Sequence, residues 1–381
     1  MGDAGDLMKP AIASNWTTLF RDKKLPGNLV IPNKIPKVYK NGTADWIGRQ
    51  PGDTHPILYV SSIAGGSEWD DETFEKLTGI KNKCYSYAYC GHSSPMCHNR
   101  HIRYLTATFK RDVRVFLDSG AHSLHRMARS GKTLAKRLNV AKEQRTQFVE
   151  FITEEFMKRY VDYVKWSYLK GRKFTFYVTL DSKKDCQLIW DTTKKLQKMG
   201  IWPTSVYHGD STLDWLDKYA DDGHKLICIG INSRYIKGKD SRRRYYDQVF
   251  KRLDKLGMSA HGLALTGDKM LAYPWYSVDS ATHIKAGSFG KILVVVPEKQ
   301  RIAQVHISEN YSQFTSYGNV DVLSPAAIKN IKVVVEKNGF DYDKLRTDIT
   351  YRIIYNARIL QQAVENNKRS EMRFTDWKAL V

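Results

Sequence analysis

The 381-residue chain is short of acid: 40 Asp and Glu stand against 61 Lys and Arg, a formal net charge of +21. Solubility alone seldom calls for more than about 2 to 8 charges on a small domain, so the surplus points to a polyanion as partner. A merely solvated surface is the plainer reading of the same charge. Cysteine is scarce and odd in number, with Cys84, Cys90, Cys97, Cys186 and Cys228. That is poor material for a disulfide framework and fits a reducing compartment. Long apolar runs are missing too: the longest aliphatic run is Ile292 to Val296, far short of the roughly 20 residues of a spanning helix. The start, Met1-Gly2-Asp3-Ala4-Gly5-Asp6, lacks the basic and apolar regions of a secretory signal, and Asp6 stands where a myristoylation signal wants Ser or Thr. The expectation is an intracellular, cytoplasmic protein with no membrane partner. Internal repeats and low-complexity stretches are absent as well.

Apolar content, by contrast, is ordinary. With 42% hydrophobic and 12% aromatic residues, the chain can bury a sizeable core, which excludes wholesale disorder. Short β-branched or aromatic runs alternate with helical patterns, the sign of βαβ units. The runs are Ile57 to Val60, Val113 to Leu117, Phe174 to Leu180, Thr204 to Tyr207, Leu226 to Ile231, Ala260 to Leu265, Trp275 to Val278 and Ile292 to Val296. Eight such runs predict an α/β fold of the (β/α)8 TIM-barrel kind. Between them Phe148, Ile152, Phe156, Tyr160 and Tyr163, and then Tyr246, Val249, Phe250, Leu253 and Leu256, recur at helical spacing as core-facing stripes. The first 55 or so residues, rich in Pro and Gly, predict an irregular N-terminal arm. Residues 64 to 112 predict an insertion after the first strand, and residues 301 to 381 a helical C-terminal extension packed on a barrel that fills residues 1 to 300. Ile328, Ile331, Val334 and Val335, then Ile353, Ile354, Ile359 and Leu360, stripe that extension.

In a parallel barrel the reacting groups come from the C-terminal strand ends. Here those ends read Asp118-Ser119-Gly120, Asp181, His208-Gly209-Asp210, Gly230-Ile231-Asn232 and Asp279-Ser280. One Asp after a strand usually caps the next helix; three on one mouth weaken that explanation. Convergent carboxylates beside a polyanion suit chemistry at a glycosidic carbon. Breaking a C1′–N bond develops oxocarbenium charge that an ionised Asp can stabilise or attack, while another group handles the departing base's proton. A base edge with adjacent donors, such as guanine N1–H and N2–H2, calls for a partner with two acceptor oxygens, which an ionised Asp is. Cys84, Cys90, His92, Cys97 and His98 have ligand types that suit zinc but lack a Cys-x-x-Cys knuckle; they are either loop residues, the plainer reading, or a zinc site. Runs such as Arg242-Arg243-Arg244 are either a solvated helix face or a phosphate contact.

In order and strand-end context, Asp118-Ser119-Gly120, Asp181, Tyr207-His208-Gly209, Ile229-Gly230-Ile231 and Ser277-Val278-Asp279-Ser280 resemble the transfer-RNA guanine transglycosylases. More narrowly, the chain resembles their phage relatives, the DNA 7-deazaguanine transglycosylases, over about residues 113 to 296. The resemblance implies that Asp279 is the nucleophile that bonds C1′ and that Asp118 is the general acid/base, with Ser119 beside it at the substrate. It implies that Asp181 holds the guanine-like edge and that Gly230 lets the backbone approach the base. His208 stands where the transfer-RNA enzymes use Gln. It is either a donor to the base or a histidine bonded to neighbouring backbone.

Asp118-Ser119-Gly120 continues as Ala121-His122-Ser123, not the Gly-Phe-Gln of the transfer-RNA enzymes. No cysteine follows Val296, where those enzymes hold a structural zinc, and the small RNA-binding domain of the archaeal members is not evident. These departures tilt the implied substrate to DNA and the implied incoming base to a 7-deazaguanine such as the 7-cyano form. The target guanine would be flipped from its stack, without any cofactor. The same exchange on transfer RNA, a base-excising DNA glycosylase and a catalytically silent nucleic-acid binder remain rivals, and the need for a helper protein is open.

Overall fold

The computed structural model describes residues 56–61, 71–87, 113–121, 156–158, 160–165, 174–181, 185–208, 211–230, 239–265, 267–296, 301–309 and 320–366. Strands β1 (Ile57–Ser61), β2 (Asn82–Ser86), β3 (Arg114–Asp118), β4 (Val206–His208), β5 (Leu226–Gly230), β6 (Ser259–Gly262) and β7 (Ser277–Ser280) form a seven-stranded parallel sheet in the order β3-β2-β1-β7-β6-β5-β4. Helices α1 (Asp71–Thr78), α2 (Cys186–Lys198), α3 (Asp214–Asp221), α4 (Lys239–Leu256), α5 (Asp268–Ala272) and α6 (Thr282–Ser288) alternate with them. The fold is therefore mixed α/β with a parallel sheet. The expected N-terminal arm lies outside the described residues.

Two compact units divide the chain, one within Tyr85–Val206 and one formed by Arg49–Cys84 with Tyr207–Val381. In the first, β3 is joined to the next segment by a parallel bridge, Leu117 with Tyr177, and Val178 is bridged to Thr204 in the same sense. Only this pair of bridges marks the run expected from Phe174 to Leu180. Tyr160, on the helical stretch 160–165, donates its hydroxyl to Val178 O at 2.7 Å. Phe156, Tyr160 and Tyr163 are buried as their spacing predicts. Helix α2 starts at Asp185, whose Oδ1 accepts the Gln187 and Leu188 N–H groups at 2.9 and 3.1 Å, a side-chain N-cap.

In the second unit β1 pairs with β7 from Ile57↔Ser277 to Val60↔Ser280, and β6 pairs with β7 through His261↔Ser277 and Gly262↔Val278. β2 falls inside the stretch expected to be an insertion, yet it pairs with β1 through Val60↔Lys83 and Ser61↔Cys84. Its polar sequence hides the strand. Lys83 is buried, with its ammonium 3.5 Å from Glu75 and 4.3 Å from the Phe74 ring centroid, both on α1, so its stem counts as apolar surface. The expected eighth barrel strand is not in the parallel sheet. It is β8 (Lys291–Val296), which pairs antiparallel with β9 (Arg301–His306) from Lys291↔His306 to Val296↔Arg301.

The C-terminal helices α7 (Pro325–Lys337), α8 (Tyr342–Thr347) and α9 (Ile349–Glu365) follow. Asp348 caps α9 by accepting the Tyr351 N–H at 3.0 Å. The α9 stripe Ile353, Ile354, Ile359 and Leu360 is buried, packing on α6, β8, α1 and β1. Gly287 on α6 permits this: a Cβ there would lie 2.6 Å from Ile353 Cγ1 and 3.0 Å from Ile353 N. Beneath β7, Phe250 of α4 meets Trp275 edge-on at 4.8 Å and stacks on Tyr273 at 5.2 Å. This aromatic wedge, with Tyr246 alongside, fixes the segment that leads into Asp279.

Candidate active site

Strand register assembles the site of the second unit. His261 sits opposite Ser277 in the β6–β7 ladder, and side chains two residues apart on a strand share a face. Asp279 therefore lies on the same face as Ser277 and His261, one layer further along. His261 Nδ1 is 2.8 Å from Ser277 Oγ, and its Nε2 is 3.3 Å from Asp279 Oδ1. His261 and Ser277 have no exposed surface, whereas the Asp279 side chain keeps 14% of its own. Tyr59 of β1, opposite Asp279 in register, sets its ring edge-on to the imidazole at 6.2 Å.

The loop after β6 completes the arrangement. Ala264 N–H donates to Asp279 Oδ1 at 2.8 Å, and Ala264 reaches that position with φ +49. It is the sole non-glycine residue with positive φ among those described. An L-residue there is strained, and such strain persists where the surroundings impose it. Asp279 does not cap the following helix. Ser280 Oγ accepts the Thr282 N–H at 2.9 Å instead, and α6 has no other side-chain cap. Both contacts of Asp279 fall on Oδ1; among the described residues none falls on Oδ2. The result is a partly exposed carboxylate with one oxygen anchored and, among the described residues, no contact on the other.

Two further expected residues belong to the same unit. His208 is buried at the end of β4, and Gly230 ends β5. A Cβ on Gly230 would lie 2.5 Å from both Cε1 and Nδ1 of His208. The glycine thus makes room for an imidazole, a use that its place at a strand end did not suggest.

Asp118, Ser119 and Asp181 belong to the first unit. Asp118 ends β3, and its Oδ2 accepts the Gly120 N–H at 3.2 Å in a tight turn that Gly120 closes with φ +74. Ser119 is buried. Asp181 follows the bridged Tyr177 and Val178, so both carboxylates stand at the C-terminal ends of neighbouring parallel segments. α2 is capped by Asp185, which frees Asp181 from that duty.

His261 had no signature in the sequence. A single histidine in Ser259-Ala260-His261-Gly262 has no partner spacing, and only the register of β6 against β7 brings it to Asp279. Of the expected cysteine–histidine cluster, Cys84 is described, while Cys90, His92, Cys97 and His98 lie outside the described residues. Among the described residues no group of three or more metal-ligating side chains occurs, and no helix is long and apolar enough to cross a membrane. Neither a protein-family model nor a curated protein matches the chain.

Proposed function

We propose that the chain is a DNA guanine transglycosylase that exchanges guanine for a 7-deazaguanine base such as 7-cyano-7-deazaguanine. The observation that carries this reading is Asp279: a partly exposed strand-end carboxylate released from capping, anchored at Oδ1 by the Ala264 N–H and with no contact on Oδ2 among the described residues. In the first displacement Oδ2 attacks C1′, the C1′–N9 bond breaks, and guanine leaves with a proton delivered to it by Asp118. In the second, Asp118 takes the N9 proton of the incoming base. N9 then attacks C1′, the C1′–O bond breaks, and Asp279 is restored with configuration retained. Asp181 accepts from N1–H and N2–H2 of the base, and His208 contacts its carbonyl side. The roles of Asp118, Ser119, Asp181 and His208 rest on the resemblance set out above, as does the choice of DNA over transfer RNA. The +21 charge supports a polyanionic substrate such as DNA in the cytoplasm, the host cytoplasm if the chain is phage-encoded.

The fold that goes with this reading is a closed (β/α)8 barrel, supported by the parallel bridges of Leu117 with Tyr177 and of Val178 with Thr204. In that barrel the segment around Tyr177 is the eighth strand in place of β8.

Radiolabelled guanine, incubated with the protein and either duplex DNA or unmodified transfer RNA, tests the reading. Label is expected in the DNA and is lost with Asp279→Asn. Label entering the RNA faster would move the substrate to transfer RNA, and free base released without incorporation would make the protein a hydrolase. Binding without either reaction would make it a silent nucleic-acid binder.

A further inference from the structure

Resting on the reading of Asp279 as nucleophile, we propose that His261 is a positioning residue. With its proton on Nε2 it favours the free carboxylate of Asp279 over the glycosyl ester and so speeds breakdown of the covalent intermediate.

The tautomer follows from the neighbours. A neutral imidazole has one donor and one acceptor nitrogen. Nε2 faces Asp279 Oδ1 at 3.3 Å, and a lone pair held there against a carboxylate oxygen would be repelled. Nε2 therefore carries the proton, and Nδ1 accepts from the Ser277 hydroxyl at 2.8 Å. Complete burial of His261 and Ser277, with the Tyr59 ring edge-on, leaves the imidazole little freedom to turn away. At 3.3 Å the pair lies within ion-pair range but outside N–H···O hydrogen-bond geometry in this structure, where an ordinary bond spans about 2.7–3.2 Å. Catalytic bonds are often long in the empty enzyme and tighten as charge develops.

The direction of the effect follows from which oxygen is held. The Ala264 N–H is bonded to Oδ1, and Nε2 of His261 faces the same oxygen from 3.3 Å, close enough to donate to it once the bond tightens. When Oδ2 bonds C1′ the carboxylate charge disappears and Oδ1 becomes an ester carbonyl, a weaker acceptor. Donors on Oδ1 therefore stabilise the free carboxylate more than the ester, which makes Asp279 the better leaving group. Losing one of them shifts the balance toward the adduct. A residue that served only to fill space would act differently: its removal would misplace Asp279 and lower adduct formation together with turnover.

The test uses the full chain and a duplex oligonucleotide containing guanine. Adduct is first allowed to form, then chased with excess unlabelled guanine, and the denaturation-resistant band is followed in time. In His261→Leu the adduct is expected to reach at least the wild-type level, its decay to slow about tenfold, and DNA affinity to stay the same. A tenfold change is the size expected for one hydrogen bond to a charged group. His261→Gln, which returns an amide N–H near the Nε2 position, should recover most of the decay rate. Ser277→Ala keeps the imidazole but removes its hydroxyl donor, and it should slow decay by a smaller factor. That variant keeps the proposal open to refutation if His261→Leu does not fold. Adduct and turnover falling in parallel, or decay unchanged in both His261→Leu and Ser277→Ala, overturns the role of His261. An adduct that fails to form in the wild type, or that survives Asp279→Asn, overturns the reading of the nucleophile instead.

Discussion

At the scale of single residues, Gly230 and Tyr355 give opposite lessons about space. A methyl on Gly230 would lie 2.5 Å from the His208 ring, so Gly230→Ala must push the imidazole aside. Overpacking of that kind costs about 1–3 kcal/mol, and it should vanish once the ring is gone. In a double-mutant cycle Gly230→Ala is expected to be destabilising in the wild type and close to neutral in His208→Ala. Additive effects would mean that the ring and the glycine do not compete for space. Tyr355 is fully buried, with no hydrogen-bond partner for its hydroxyl among the described residues, and burial pushes its pKa well above the ordinary range. Burial does the same for Tyr246, partly offset by Arg242, and for Tyr273, where the Asp247 charge adds to it. Below about pH 10, the usual phenol value, all three are neutral whether folded or unfolded. Above it the unfolded chain loses these protons while the folded core keeps them, so the stability they contribute is lost as pH rises from about 10 toward their folded values. Urea midpoints at pH 8 to 11 should fall over the upper unit. Tyr355→Phe should stabilise at pH 8 by about 1 kcal/mol and flatten the fall; an unchanged pH slope in that variant would refute the assignment to Tyr355.

At the scale of elements, β8 shows how a strand outside the parallel sheet satisfies its free edge. Leu293 N–H donates to Asn356 Oδ1 at 2.7 Å, while Asn356 Nδ2 donates to Lys291 O at 2.9 Å. One side chain of α9 thus stands in for a neighbouring strand that, among the described residues, β8 has only on its β9 side. Asn356→Leu removes both partners from buried backbone groups and should cost about 2–5 kcal/mol, read as a lower urea midpoint. A loss under about 0.5 kcal/mol would show that β8 does not depend on the contact. The same strand marks the limit of what the sequence discloses about the fold. Ile292 to Val296 is an apolar run that looks the same whether it enters a parallel sheet or a hairpin, and only the Asn356 edge and β9 distinguish the two. β2 was hidden for the opposite reason, since its buried Lys83 breaks the apolar pattern. By contrast β1, β3, β5 and β7 begin and end within two residues of their apolar runs, because each buries both faces. Of the site, the strand-end residues were legible from topology, but His261 and the use of Gly230 depend on contacts between strands that no linear spacing encodes.

At the scale of the whole molecule, the charge of +21 makes a prediction that depends on none of the site assignments. Arg243 and Arg244, near the start of α4, are exposed, as are Lys251 and Lys255 further along it. Helix α4 follows β5, so its first turns lie on the chain just after the strand end that carries Gly230. Exposed cations at that place can meet the backbone phosphates of a bound polyanion. Each phosphate neutralised contributes about −0.9 to the slope of log K against log salt on B-DNA, and five contacts lower affinity several-hundred-fold between roughly 50 and 200 mM salt. The measured slope for duplex DNA is therefore expected at about −4 or steeper. Arg243→Gln with Arg244→Gln should reduce its magnitude by about 2, equally for matched and unrelated sequences, because phosphate contacts position without reading bases. If the double variant leaves the slope unchanged, the start of α4 is a solvated face and the contacts lie elsewhere on the chain. A slope near zero in the wild type would remove the polyanion altogether, and with it the reason to read the surplus of Lys and Arg as anything more than solubility.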